Sequence, residues 1–174
     1  MHREVHICET GPRDGLQNLS AFVPTQAKCE LIDAIVDAGV PEVDAGSFVP
    51  SKVVPQFADA DAVFAHALAG AKDATIMALV PNVKGAERAI AAGVDAMCFV
   101  ISASETHNRA NVRRTIGEQL DGFRTVRSSI DALPAERRPH LMGAVATSFG
   151  CSLEGSVSEA AVCRVARAYA EIGA

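Results

Sequence analysis

The segment Glu9-Thr10-Gly11-Pro12-Arg13-Asp14-Gly15-Leu16-Gln17-Asn18 sets a guanidinium beside a carboxylate, between a proline and a glycine. Pro12 and Gly15 predict a tight turn. A carboxylate held in such a turn can bind a hard divalent cation, and the adjacent guanidinium can stabilise a developing oxyanion. The competing reading of the dipeptide is a surface ion pair worth about 0–1 kcal/mol. Gln17, one short turn beyond Asp14, is placed to hydrogen-bond a substrate, to orient the carboxylate, or to stabilise the loop. Asp44 lies in an otherwise apolar run, where a carboxylate is costly unless paired, and the fork of Arg13 is its expected partner. Ser47 follows three residues on and can donate to a substrate carboxylate or close a turn. Among the histidines, His107 stands with Asn108, Arg109 and Asn111 and is the candidate to face a ligand, whereas His2, His6, His66 and His140 read as structural.

These residues need a frame that brings them together. Short apolar runs over 4–9, 42–46, 75–80, 96–102 and 141–147 predict five strands. Between them lie helical stripes, the clearest being Ala27, Leu31, Ala34, Ile35 and Ala38, followed by 59–71, 85–92, 116–133 and 158–172. Alternation of near-continuous apolar strands with helices predicts a parallel sheet covered by helices. Ala38-Gly39-Val40 and Ala92-Gly93-Val94 form a weak repeat, each closing a helix just before a strand. A closed eight-fold barrel takes about 250 residues, roughly 31 per βα unit, so 174 residues hold about five units. The expected fold is α/β: a (β/α)8 TIM barrel, incomplete, with residues 1–174 forming one partial domain of five units. In such a fold ligands gather at the carboxyl ends of the strands, where Arg13, Asp14, Ser47 and His107 all fall.

Composition narrows the function classes. Hydrophobic residues make up 49% and charged residues 21%, an ordinary globular balance, and the formal charge is −5 with a pI near 5.5. That balance argues against a nucleic-acid partner, whose footprint is a basic face. No apolar run is long enough to span a membrane. Five cysteines, an odd number without CxxC spacing, argue against disulfides or a structural zinc and point to a reducing cytoplasmic setting. Cys151 reads as loop packing.

The string Gly11-Pro12-Arg13-Asp14-Gly15-Leu16-Gln17-Asn18 resembles the first-strand signature of the hydroxymethylglutaryl-CoA lyase family. The resemblance continues through Gly46-Ser47-Phe48-Val49, Val54-Pro55-Gln56, Pro81-Asn82-Val83-Lys84-Gly85, Ser102 to Asn108, Phe149-Gly150-Cys151 and Glu154-Gly155. Pro12 and Leu16 mark the lyase branch, since the related synthases carry Leu and an acidic residue there. The resemblance implies a metal-dependent carbon–carbon lyase acting on 3-hydroxy-3-methylglutaryl-CoA or a close analogue, giving acetyl-CoA and a keto acid such as acetoacetate. It implies Asp14 as a ligand of Mg2+ or Mn2+, Arg13 as the catalytic cation, an acyl-CoA as partner and a homo-oligomer. Two departures bear on the substrate. Asp44 stands where these lyases commonly carry a glutamate, and Leu19-Ser20 stands where many have an acidic then a basic residue. Both leave room for a longer branched 3-hydroxyglutaryl-CoA.

The family completes its metal site with a His-x-His pair on the sixth strand, an Asn near the seventh, and a glycine-rich loop with a reactive cysteine. This sequence holds no His-x-His. Taken alone, the 174 residues are therefore expected to be inactive, or a non-catalytic partial barrel. Two open sheet edges and inward faces that include Ile7, Val43, Met77 and Phe99 or their neighbours would favour self-association.

Overall fold

The computed structural model of the protein describes residues 5–174. Five strands, β1 (Cys8–Glu9), β2 (Glu42–Ser47), β3 (Thr75–Val80), β4 (Ala96–Ser102) and β5 (His140–Ala146), run parallel and pair in chain order as a curled half-barrel. Helices α1 (Thr25–Asp37), α2 (Ala60–Gly70) and α3 (Val83–Ala92) make the first three crossovers. The fourth takes two, α4 (Glu105–Val112) and α5 (Ile116–Asp131), and α6 (Glu159–Ile172) follows β5. The fold is the incomplete (β/α)8 barrel that the strand–helix alternation predicts.

The first strand is shorter than its apolar run. Only Cys8 and Glu9 pair, with Glu42 and Val43 of β2, because β1 has a single neighbour; Glu4 lies outside the described residues. The stretch after β4, read from sequence as a loop, is helix α4. Ser104 caps it by accepting the His107 N–H at 3.0 Å, and Arg113 ends it in the left-handed region at φ 57°. Its residues are mostly polar and leave no apolar stripe to announce it. Gly39 and Gly93, the paired helix endings of the repeat, both take the left-handed conformation, at φ 79° and 80°, in which a side chain is strained.

Core packing corrects one expectation. Val43, Ile76, Met97, Phe99 and Ile101 are fully buried and face the helices, against Ile32, Phe64, Phe123 and Ile130. Val43 and Phe99 therefore point outward, and Ile7 precedes the paired part of β1. Met77 does face inward, as do the neighbours of the other two, Asp44 and Cys98. The reason is that a parallel strand buries both faces, so apolarity alone does not say which face is which.

Tyr169 of α6 locks this outer layer. Its hydroxyl donates to the carbonyl of Phe99 at 2.8 Å and reaches that of Ala144 at 3.3 Å, bridging β4 and β5, while its ring stands edge-on to Phe123. The ring lies directly on Gly143, where an added Cβ would come within 2.4 Å of the ring carbon Cγ. Gly143→Ala must displace a buried ring with its hydrogen bonds, and overpacking of this kind costs about 1–3 kcal/mol. Urea unfolding of the variant should show a lower midpoint, and a midpoint equal to the parent's would mean that Tyr169 moves freely.

Candidate active site

The Gly11–Gly15 segment after β1 folds as one wide turn of π type. The carbonyl of Thr10 accepts the N–H groups of Arg13 (3.1 Å), Asp14 (2.7 Å) and Gly15 (3.4 Å). Glu9 closes the turn from below by accepting the Gly11 N–H at 2.6 Å, and a Cβ on Gly11 would lie 2.9 Å from that carboxylate oxygen. Wide turns of this type recur at functional sites because they push one residue out of the helical line. Here the displaced side chain is Arg13, which swings across to β2.

Arg13 joins two carboxylates. Its Nε donates to Asp44 Oδ2 at 2.6 Å and its Nη1 to Asp14 Oδ1 at 2.7 Å. Of the five N–H donors of a guanidinium, three remain for a ligand. The two acids differ in setting: the Asp14 side chain is 61% exposed, that of Asp44 2%. Asp44 Oδ1 is buried with no hydrogen-bond partner. Burial pushes the Asp44 carboxyl up to about 6, against the pull of Arg13. Because that value lies above the ordinary 3.8, ionised Asp44 costs stability. The cost is fully present above about pH 6 and gone below the ordinary value. A carbon-13 titration of the Asp44 carboxyl should show a midpoint near 6, and a midpoint at the ordinary value would mean that Arg13 outweighs burial.

A β-bulge brings the two β2 residues to one side. Pairing with β3 runs Asp44 to Met77 and then Gly46 to Ala78, so Ala45 is an extra residue. Residues 44 and 47, an odd number apart, would otherwise face opposite ways. Ser47 thus lines a cleft of about 310 Å3 with Arg13, Gln17, Leu79, Val100 and Asn111. Its hydroxyl donates to the carbonyl of Leu79 and accepts the Val49 N–H, both at 3.1 Å. The Ser47 hydroxyl thus closes a turn, with its proton on the Leu79 carbonyl.

His107 sits at the rim. Its Nδ1 is 2.7 Å from Ser102 Oγ. It is one helical turn before Asn111, which lines the cleft, but does not line the cleft itself. Ser102 Oγ and His107 Nδ1 thus form one pair, which leaves Nε2 as the ring nitrogen outside it. A second cleft of about 550 Å3 carries Lys52, Asn82 and Arg113 and shares Val49, Val53, Pro81, Asn111 and Val112 with the first, so the two are continuous. A larger hollow between α3 and α5, lined by Lys84, Glu87, Arg114 and Glu118, lies outside the sheet and away from Arg13.

Sequence reading did not single out Lys52 and Arg113, whose only signal was their place in loops, and held Ser102 only as the first residue of the motif that runs to Asn108. Cys151 packs as expected. Its thiol lies 3.2 Å from Ser104 Oγ, and hydrogen bonding with Ser104 draws its pKa below the ordinary value and ties the loop after β5 to the end of β4. Among the described residues no three His, Cys, Asp or Glu side chains converge as a metal site. Asp14, open and acidic, fits one corner of a hard-cation site, which needs about six ligands. Arg13, Asp14 and Asp44 together carry a net charge of −1 when both acids are ionised, which favours a cation at that corner.

A family model described as HMGL-like matches residues 4–174. The cytoplasmic 3-hydroxy-3-methylglutaryl-CoA lyase of Danio rerio is 40% identical over 169 residues, which cover 97% of this chain and 49% of that protein. The mitochondrial hydroxymethylglutaryl-CoA lyase of Rattus norvegicus is 39% identical over 171 residues, 98% of this chain and 51% of that protein. A solved HMG-CoA lyase from A. baumannii, in complex with coenzyme A and 3-methylmalate, superposes with a TM-score of 0.88 at 37% identity, covering 97% of this chain and 53% of that one. The chain thus spans about half the length of the relatives it matches.

Proposed function

The chain belongs to the HMGL-like family, and from that premise we propose that it contributes the Arg13 half of a divalent-metal-dependent lyase site. The reaction is cleavage of 3-hydroxy-3-methylglutaryl-CoA, or a close analogue, to acetyl-CoA and a keto acid such as acetoacetate. The observation that carries this reading is the Arg13 fork, fixed by buried Asp44 and open Asp14 at the carboxyl end of β1. A base takes the tertiary hydroxyl proton, and the oxygen's electron pair forms the keto C=O. The pair of the breaking C2–C3 bond moves onto the thioester, whose oxygen becomes enolate-like, and protonation at C2 gives acetyl-CoA. The free N–H groups of Arg13 meet that oxygen as its charge grows, and binding that strengthens only then accelerates the step. A cation held by Asp14, as Mg2+ or Mn2+, would lower the hydroxyl pKa and orient the substrate. Gln17 lines the same cleft and can donate to the acyl group.

The continuous second cleft suits the rest of an acyl-CoA. Val49, Val53, Pro81 and Val112 give a largely apolar path, and Lys52 and Arg113 stand along it as cations for phosphate. His107, whose Nε2 lies outside the pair with Ser102, suits a polar group of the pantetheine arm. The complex of the A. baumannii relative with coenzyme A supports this partner. Asp44, shorter than a glutamate by one methylene and with an unpartnered oxygen, favours the second reading of a longer branched 3-hydroxyglutaryl-CoA. A cytoplasmic setting and a homo-oligomer complete the proposal. The test is to supply the full-length enzyme with both thioesters and follow acetyl-CoA. Release from neither removes the lyase reading, and faster release from the longer one selects the second.

A further inference from the structure

The loop that leaves the site, residues 16–24, has little to hold it. Residues 18–22 are all exposed, including Leu19 and Phe22, so apolar burial does not fix its path. What fixes it is Gln56, a buried side chain on the short helical turn Pro55–Phe57. Its Nε2 donates to the carbonyls of Leu19 (3.1 Å) and Ala21 (2.5 Å), and its Oε1 accepts the Val23 N–H (3.1 Å). One amide thus serves three backbone groups within five residues, as a paired strand would.

Gln56 is itself seated on a buried cation. Lys28 Nζ donates to the Gln56 carbonyl and, at 2.7 Å, to Asp59 Oδ1, while Thr25 Oγ1 donates to Asp59 Oδ2 at 2.7 Å. The Phe22 ring covers the ammonium, 4.2 Å from its centroid. A lysine this deep is costly unless every charge and donor is met. Carboxylate, carbonyl and π face meet it here. The cluster fastens the loop to α1, and to the segment that runs back through residues 48–54 to β2, the strand of Asp44 and Ser47.

We propose that Gln56, braced by Lys28 and Asp59, is a positioning residue: it sets the path of loop 16–24 and so the placement of Gln17 and Arg13 for the acyl-CoA. The ligand in this proposal rests on the lyase reading above, but the placement of the loop stands on the contacts alone. Gln56→Leu removes all three loop bonds, and Gln56→Glu keeps the acceptor for Val23 while removing both donors at nearly constant shape. Val23 carries the one loop N–H that Gln56 holds, and its exchange should quicken by about tenfold or more in Gln56→Leu, with β2 to β4 unchanged. The Arg13 Nε–H and Gln17 amide signals should broaden in nuclear magnetic resonance spectra of both variants. Coenzyme A should bind more weakly to both variants by calorimetry. Unchanged loop exchange, or loosened exchange with sharp Arg13 and Gln17 signals, overturns the positioning role. If the parent itself fails to bind coenzyme A, the lyase reading falls while the exchange and resonance measurements still decide the role of Gln56. If Gln56→Leu does not fold, the same measurements on Gln56→Glu decide between the two outcomes.

Discussion

Replacing Arg13 by methionine in the full-length enzyme is expected to lower kcat by about 10²–10³-fold, the loss that follows removal of one oxyanion donor. KM should change much less. The thioester oxygen carries little charge in the bound substrate and a nearly full one as the C2–C3 bond breaks, so the guanidinium contributes mainly to the transition state. Two carboxylates hold the group in place before the substrate arrives, so no reorganisation is needed at the moment of reaction. The same holding defines the control. Without Arg13, Asp44 loses its one hydrogen-bond donor and remains buried, so folding of the variant must be checked by its unfolding midpoint. Arg13→Lys separates charge from shape: an ammonium keeps the charge but cannot span Asp44 and Asp14 with a planar fork, and should restore only part of the rate. A raised KM at constant kcat would mean that Arg13 binds ground and transition states alike. Parent-like kcat in Arg13→Met would return the Arg13–Asp14 pair to the surface ion pair of the competing reading.

The strands whose residues bury both faces were the most legible part of the sequence. β3 and β4 begin and end where their apolar runs do, β2 runs one residue longer than its own, and β5 is shifted by one residue at both ends. The partnership of Arg13 with Asp44 was legible too, because a carboxylate in an apolar strand demands a cation and the turn offered one. Other features were not, for identifiable reasons. The bulge at Ala45 leaves no mark in the sequence, since it is a relation between two strands, yet it decides that Asp44 and Ser47 share a face. Helix α4 is held by its cap at Ser104 and by Arg113 at its end rather than by an apolar stripe, so periodicity could not find it. Nothing in the sequence around Lys28, in α1, marks it as buried. Its burial depends on Asp59 and the Gln56 carbonyl, about thirty residues on, and only the fold brings them together. What the sequence hides is thus mostly pairing across distance, which is also what builds the site.

Stripping divalent metal from the full-length protein should bring turnover down by roughly 10³-fold or more, since charge stabilisation by a metal contributes several kcal/mol to such a transition state. Mg2+ or Mn2+ should restore it. The two acids that Arg13 joins sit in unequal settings, and only one of them is open to a cation. Buried Asp44 is occupied with Arg13, whereas Asp14 gives only one oxygen to the guanidinium and turns the rest of its carboxylate to solvent. An exposed acid beside an arginine would have no reason to sit at a strand's carboxyl end behind so constrained a turn if its partner were water. On the lyase reading, the cluster's net negative charge would favour a cation at Asp14 and leave the guanidinium for the substrate oxygen. One carboxylate is a small part of the six or so ligands that a hard cation takes, so the 174 residues alone should bind Mn2+ weakly in calorimetry. Asp14→Asn tests the assignment within the full-length protein. It keeps the side chain's shape and removes its charge, and should weaken metal affinity and turnover together, with excess Mn2+ recovering part of the rate. Full turnover by metal-free protein in the presence of chelator would remove the metal from the reaction and leave Asp14 as a holder of Arg13.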